Sequence, residues 1–207
     1  GKEFNDYQFY STTYEGTLEE ERFEGKGFLS IKRKKGLTKD VYMHDGKKIK
    51  LMSGIFKNNL LDKGKVTFED GSSLEGYFVK GKYSLPRTKY MEGNDYKNGT
   101  NNKVQNFTLA KENYLIAAQN GYKDAMKELS KLYQSQKIQA KLTTMQKLKS
   151  YFSDELYIKK ISLLKAHMWA NLSGDDKLRD SINLDAIHIL EAQDLAKECK
   201  QKGYKNC

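Results

Sequence analysis

The chain has 207 residues and a formal net charge of +10, with hydrophobic residues at 38% and charged residues at 31%. That balance is polar but outside the disordered range, and the length is about one and a half typical domains, enough for two modules. No window approaches about 18 consecutive apolar residues, so no membrane-spanning helix is expected. Gly1 stands where a methionine would open a full reading frame, which suggests a trimmed or mature form whose targeting signal is not part of this sequence.

The first part of the chain alternates with a two-residue period, broken by glycine, as far as about Tyr96. An acidic patch comes early, with Glu15, Glu19, Glu20, Glu21 and Glu24 against Arg22. A basic run follows: between Lys26 and Lys50 nine Lys/Arg stand against Asp40 and Asp45. Further on, "GKVTFEDGSSLEGYFVKGK" predicts a strand over Lys65 to Phe68, a turn at Glu69-Asp70-Gly71-Ser72, a strand over Ser73 to Val79 and a turn at Lys80-Gly81. Asp-Gly between alternating segments is a hairpin signal because glycine accepts the positive φ of the turn. Consecutive hairpins make an antiparallel meander.

Three segments share a glycine at the same step: Tyr14-Glu15-Gly16, Met52-Ser53-Gly54-Ile55-Phe56 and Leu74-Glu75-Gly76-Tyr77-Phe78. Gly54 and Gly76 are 22 residues apart, with Lys63-Gly64-Lys65 and Asp70-Gly71 where such a hairpin needs its bend and its turn. This pattern resembles the MORN repeat family. Gly25-Lys26-Gly27-Phe28 fits the first unit. The 38 residues from Gly16 to Gly54 leave about 15 extra, within "IKRKKGLTKDVYMHDGKK", which reads as an extended hairpin.

The polar connection from Tyr96 to Asn106 is the predicted module boundary, giving a sheet module over 1–100 and a helical module over 107–207. Beyond it the period becomes helical. Leu109, Tyr114, Ala117 and Ala118, then Ala125, Leu129, Leu132 and Tyr133, recur mostly at three- and four-residue steps, and Gly121 separates them as a helix C-terminus would. The segment Tyr114 to Tyr133 resembles a Sel1-like repeat, in which alanines let paired helices approach and glycine turns the chain. "LLKAHMWANLSGD", with Ala166, Trp169, Ala170 and Leu172, and "EAQDLAKECKQKGYKNC", with Glu191, Ala192, Gln193, Leu195, Ala196 and Cys199, resemble the last repeat and closing helix of bacterial Sel1-like proteins. "QSQKIQAKLTTMQ" replaces the family's glycine-rich loop, and the step at Asn183-Leu184-Asp185 lacks its frequent proline. Five lysines and no acid lie between Lys131 and Lys149.

Cys199 and Cys207 are too few for a thiolate zinc site and lack Cys-x-x-Cys spacing. They are expected to be bridged to each other, with two free thiols as the alternative; a bridge implies an oxidising compartment, which for a bacterial chain means the periplasm or the exterior. His44 reads as a turn residue, His167 and His188 as helix residues, and Trp169 as core. No nucleophile elbow, zinc-protease helix, phosphate loop or calcium loop is present, and neither a catalytic site nor a cofactor is expected. Tyr14, Phe23, Phe56, Tyr77, Phe78, Tyr83 and Tyr90 either pack the sheet or mark a contact surface.

The fold class expected is therefore α+β: a MORN-like antiparallel meander followed by a Sel1-like helical solenoid. The lysines are either solvated faces or a means of drawing acidic partners. Nucleic acid is excluded as a partner because no binding motif accompanies the charge and lysine far outnumbers arginine. The resemblances imply a non-enzymatic protein-binding protein, such as an exported bacterial immunity protein that neutralises a secreted toxin of the type VI lipase kind. The alternative is a membrane-surface adaptor on anionic lipid. The partner-binding residues expected are Lys32, Arg33, Lys34, Lys35, Lys47, Lys48, Phe56, Tyr77 and Tyr83.

Overall fold

The computed structural model describes residues 2–6, 10–33, 42–138, 140 and 154–207. They form an α+β protein, an antiparallel sheet of eight strands followed by helices. The chain divides into two compact units, Gly1–Leu85 and Pro86–Cys207.

The sheet unit contains β1 (Lys2–Asp6), β2 (Tyr10–Glu19), β3 (Arg22–Arg33), β4 (Met43–His44), β5 (Lys47–Lys57), β6 (Leu60–Phe68), β7 (Ser73–Val79) and β8 (Lys82–Tyr83). Strand order follows chain order except that the short β4 pairs only with β5. The sequence-predicted turn at residues 69–72 is present, with Gly71 at φ +83° and the Asp70 carboxylate accepting from the Ser72 N–H at 2.8 Å. The extra residues of the first repeat join β3 to β5, which pair directly from Gly25↔Phe56 to Ser30↔Leu51; residues 34–41 of that hairpin lie outside the described ones.

Five glycines lie in one line across the sheet, through the pairs Gly16↔Gly27, Gly27↔Gly54, Gly54↔Gly64 and Gly64↔Gly76. This is the structural content of the sequence repeat. Gly54 and Gly64 have φ of +149° and +157°, and a Cβ on either would fall inside contact distance of the carbonyl oxygen and Cα on the opposing strand. Backbone this close leaves a strip bare of side chains on the inner face. The Tyr14 ring lies over Gly16 and Gly27, stacks on Phe23 at 4.0 Å and meets Phe56 edge-on at 5.3 Å. Leu29, Ile31, Ile49, Leu61, Val66, Phe68 and Phe78 complete this core. Each such side chain, fully buried, contributes roughly 1.5–3 kcal/mol.

The helical unit contains α1 (Leu85–Asn98), α2 (Phe107–Gln119), α3 (Lys123–Gln134), α4 (Asp154–Ser173), α5 (Asp176–Asp180) and α6 (Ala186–Gln201). Helix α1 differs from the expected alternation to Tyr96 and moves the division between units to Leu85/Pro86. Gly93, in mid-helix, explains its seat: the Tyr114 ring of α2 lies against it where a Cβ would be, and the Tyr114 hydroxyl donates to Asn94 Oδ1 at 2.7 Å. Gly121, at φ +76°, turns α2 into α3 as the spacing predicts. Contacts continue from α3 to α4 and from α4 to α6. Ala117, Ala118, Ala125, Ala166, Ala170, Ala192 and Ala196 are all buried, small residues that let neighbouring helices approach, and Trp169 is core. Part of the Gln134–Gln146 segment and of the Lys131–Lys149 run lies outside the described residues.

Candidate functional site

Alternation fixes what the sheet shows outward. Residues flanking the glycine line by one position project to the opposite face, and they form two rows. One runs Glu15, Phe28, Ser53, Lys65, Glu75; the other runs Lys26, Ile55, Lys63, Tyr77. A third row holds Phe4, Thr13, Ser30, Leu51 and Thr67. Phe4 and Phe28 are 64% and 58% exposed, among the exposed lysines Lys26, Lys32 and Lys65. Glu15 is engaged by Lys2 at 2.6 Å, which holds its carboxyl below the usual range, and Lys63 lies 5.1 Å from the centre of the Tyr77 ring. The outward face thus presents exposed aromatic rings, with lysines that outnumber its carboxylates Glu15 and Glu75, the first opposite Phe28 and the second opposite Lys65.

The sequence-predicted contact residues fall into three groups. Lys32, Lys48 and Tyr77 lie in strands of this sheet, the two lysines exposed and Tyr77 half-buried in the second outward row. Lys34 and Lys35 lie outside the described residues. The rest are engaged in holding the sheet together. Phe56 is 0% exposed, buried under Tyr14 and Phe23, so its ring cannot meet a partner. Arg33 donates from Nη1 to the Ile49 carbonyl and to Glu69, and from Nη2 to the Tyr42 carbonyl, bracing the hairpin base. Lys47 pairs with Asp70 at 3.0 Å and lies over Phe68, pinning the 69–72 turn; the Ser72 and Lys47 contacts hold the Asp70 carboxyl down at about 2. Tyr83 packs edge-on against Phe78 and His44. Phe4 and Phe28 escaped sequence reasoning, although Phe28's place beside Gly27 carries the signal: it must face away from Tyr14.

The helical unit uses its polar groups internally. Burial pushes Glu128 up, but hydrogen bonds from Lys97 at 2.7 Å and Lys131 at 2.9 Å outweigh it and hold the carboxyl below its ordinary value. Burial pushes the His167 imidazole down, with nearby Arg179 adding to the effect, and its Nδ1 finds no hydrogen-bond partner among the described residues. His167 lines a polar cavity of about 590 Å³ with Arg179, Asp180 and Gln193, whereas His188 lines a different one. Among the described residues no group of three or more His, Cys, Asp or Glu could hold a metal ion. Cys199 and Cys207 are bonded, with Cα atoms 5.5 Å apart, and Lys165 donates to the Cys207 carbonyl. Burial and the neighbouring Lys111 push Lys165 down. Among the described residues no helix is long and apolar enough to cross a membrane.

Compared with protein-family models, with curated proteins and with solved structures, the chain returns no match.

Proposed function

We propose that this is a non-enzymatic binding protein whose outward sheet face docks an acidic protein surface. The observation that carries this reading is the exposure of Phe4 and Phe28 among Lys26, Lys32 and Lys65. Aromatic side chains supply contact area at small entropic loss, and surrounding cations steer and orient an acidic partner. The glycine line keeps the five strands in register beneath that face, as a MORN-like array would. The alanine-seamed helices support a Sel1-like solenoid as the second module. The Cys199–Cys207 bond is compatible with export, and within that setting the partner is a secreted toxin that the protein neutralises in the periplasm. The same lysines favour one alternative, an adaptor on anionic lipid.

Tagged protein passed over a lysate of the native organism separates the two. Docking on protein predicts stoichiometric capture of one acidic partner, lost with Phe28→Ser. Salt-sensitive sedimentation with phosphatidylglycerol vesicles, without capture of a protein, would instead support the adaptor.

A further inference from the structure

The first turns of α4 and α6 leave an open cleft of about 370 Å³ walled by Leu156, Tyr157, Leu163 and Leu184 and bordered by Lys159 and Lys160. Leu156 is 69% exposed, and Ile187 and Leu190 on α6, outside the cleft itself, are exposed as well. Monomers seldom leave apolar side chains gathered at one end of a helix pair unless something covers them. The charges around the cleft say what. Among the described residues neither Lys159 nor Lys160 makes an ion pair, although the charge of Lys160 is near enough to Asp185 to help hold that carboxyl low. Asp185, the carboxylate lining the cleft, is occupied: it accepts from the His188 N–H at 3.0 Å as the cap of α6 and lies 2.6 Å from His188 Nδ1.

We infer that this cleft is a second docking site, taking an acidic amphipathic segment of a partner protein. Its apolar side chains enter between α4 and α6, and its carboxylates meet Lys159 and Lys160. From Leu156 to Leu163 the helix runs about 10 Å, which matches roughly two turns of a docked helix with apolar residues at i, i+3, i+4 and i+7. Lipid suits the cleft less well, because two lysines supply only about 1 kcal/mol each at a charged membrane surface, whereas a concave apolar wall selects inserted side chains. The site rests on the protein-binding reading, but on residues separate from the sheet face.

The test uses the full chain and a fluorescein-labelled synthetic peptide with leucine at i, i+3, i+4 and i+7 and glutamate elsewhere, read by fluorescence anisotropy. The expected result is saturable binding that weakens about tenfold or more with Lys159→Glu/Lys160→Glu and with Leu156→Ser, both at exposed or half-exposed positions. A peptide carrying lysine in place of glutamate is expected to bind at least about tenfold more weakly. Phe28→Ser is expected to leave peptide binding unchanged. Equal binding by wild type and both variants would overturn the proposal, as would equal binding of the two peptides. It would also fall if phosphatidylglycerol vesicles, and not the peptide, bound through Lys159 and Lys160. Because Phe28→Ser tests the sheet face and these variants test the cleft, either reading can fail while the other stands.

Discussion

Gly54 and Gly64 meet across β5 and β6 in backbone conformations that side chains rarely adopt, with no room for a Cβ between the strands. Gly54→Ala should therefore cost roughly 1–3 kcal/mol in backbone strain alone, plus the displacement of β6, and lower the urea midpoint of the sheet unit. Glu128 answers to pH instead. Its carboxyl lies below the unfolded value, so its bonds to Lys97 and Lys131 stabilise the fold above the ordinary carboxylate range. That contribution is lost as pH falls through the depressed folded value. Glu128→Gln should cost roughly 2 kcal/mol at pH 7 by urea unfolding, and progressively less as pH falls through the depressed folded value and the wild-type carboxyl takes up its proton.

At the scale of elements, the Cys199–Cys207 bond ties the last eight residues to the final turns of α6. Cys199→Ser should lose about 2.6 kcal/mol by the chain-entropy argument. In a thermal melt, reductant should lower the wild type to the variant's midpoint and leave the variant unmoved. This element was legible because the two cysteines pair only with each other, and the turns at Asp70-Gly71 and Gly121 because each glycine takes the positive φ that its neighbours signal. Helix α1 was not legible. Pro86, Gly93, Asn94 and Asn98 are poor helix formers, and what seats the helix is the Tyr114 ring against Gly93, a contact no local pattern carries. The residues of the proposed docking face were legible only in kind. Alternation gives a period but not which side is buried, so Phe56 was expected on the surface and Phe28 was overlooked. The cross-strand pairing with Gly27 and Gly54 resolves that ambiguity.

For the whole molecule, the two faces of the sheet give substitutions of one chemical type opposite consequences. Phe28→Ser should leave urea stability within about 0.5 kcal/mol while abolishing partner capture. Phe56→Ser should cost at least about 3–5 kcal/mol and remove capture only by unfolding the sheet unit. Capture should also weaken between low and high ionic strength, since exposed lysines lose reach as the screening length falls from about 10 Å at 0.1 M to about 3 Å at 1 M salt.

The glycine line has one more consequence, for how such a chain can change length. β5 and β7 run in the same direction and carry their glycines at equivalent steps, with β6 between them. Excising the 22 residues after Gly54, so that Gly54 is followed directly by Tyr77, would fuse β5 to the end of β7 without turning any side chain to the wrong face. Duplicating the same stretch would add two strands on the same terms. Cuts of odd length would invert inside and outside, and even cuts of another length would take the glycines out of line, so on these terms the sheet gains or loses material in whole hairpins.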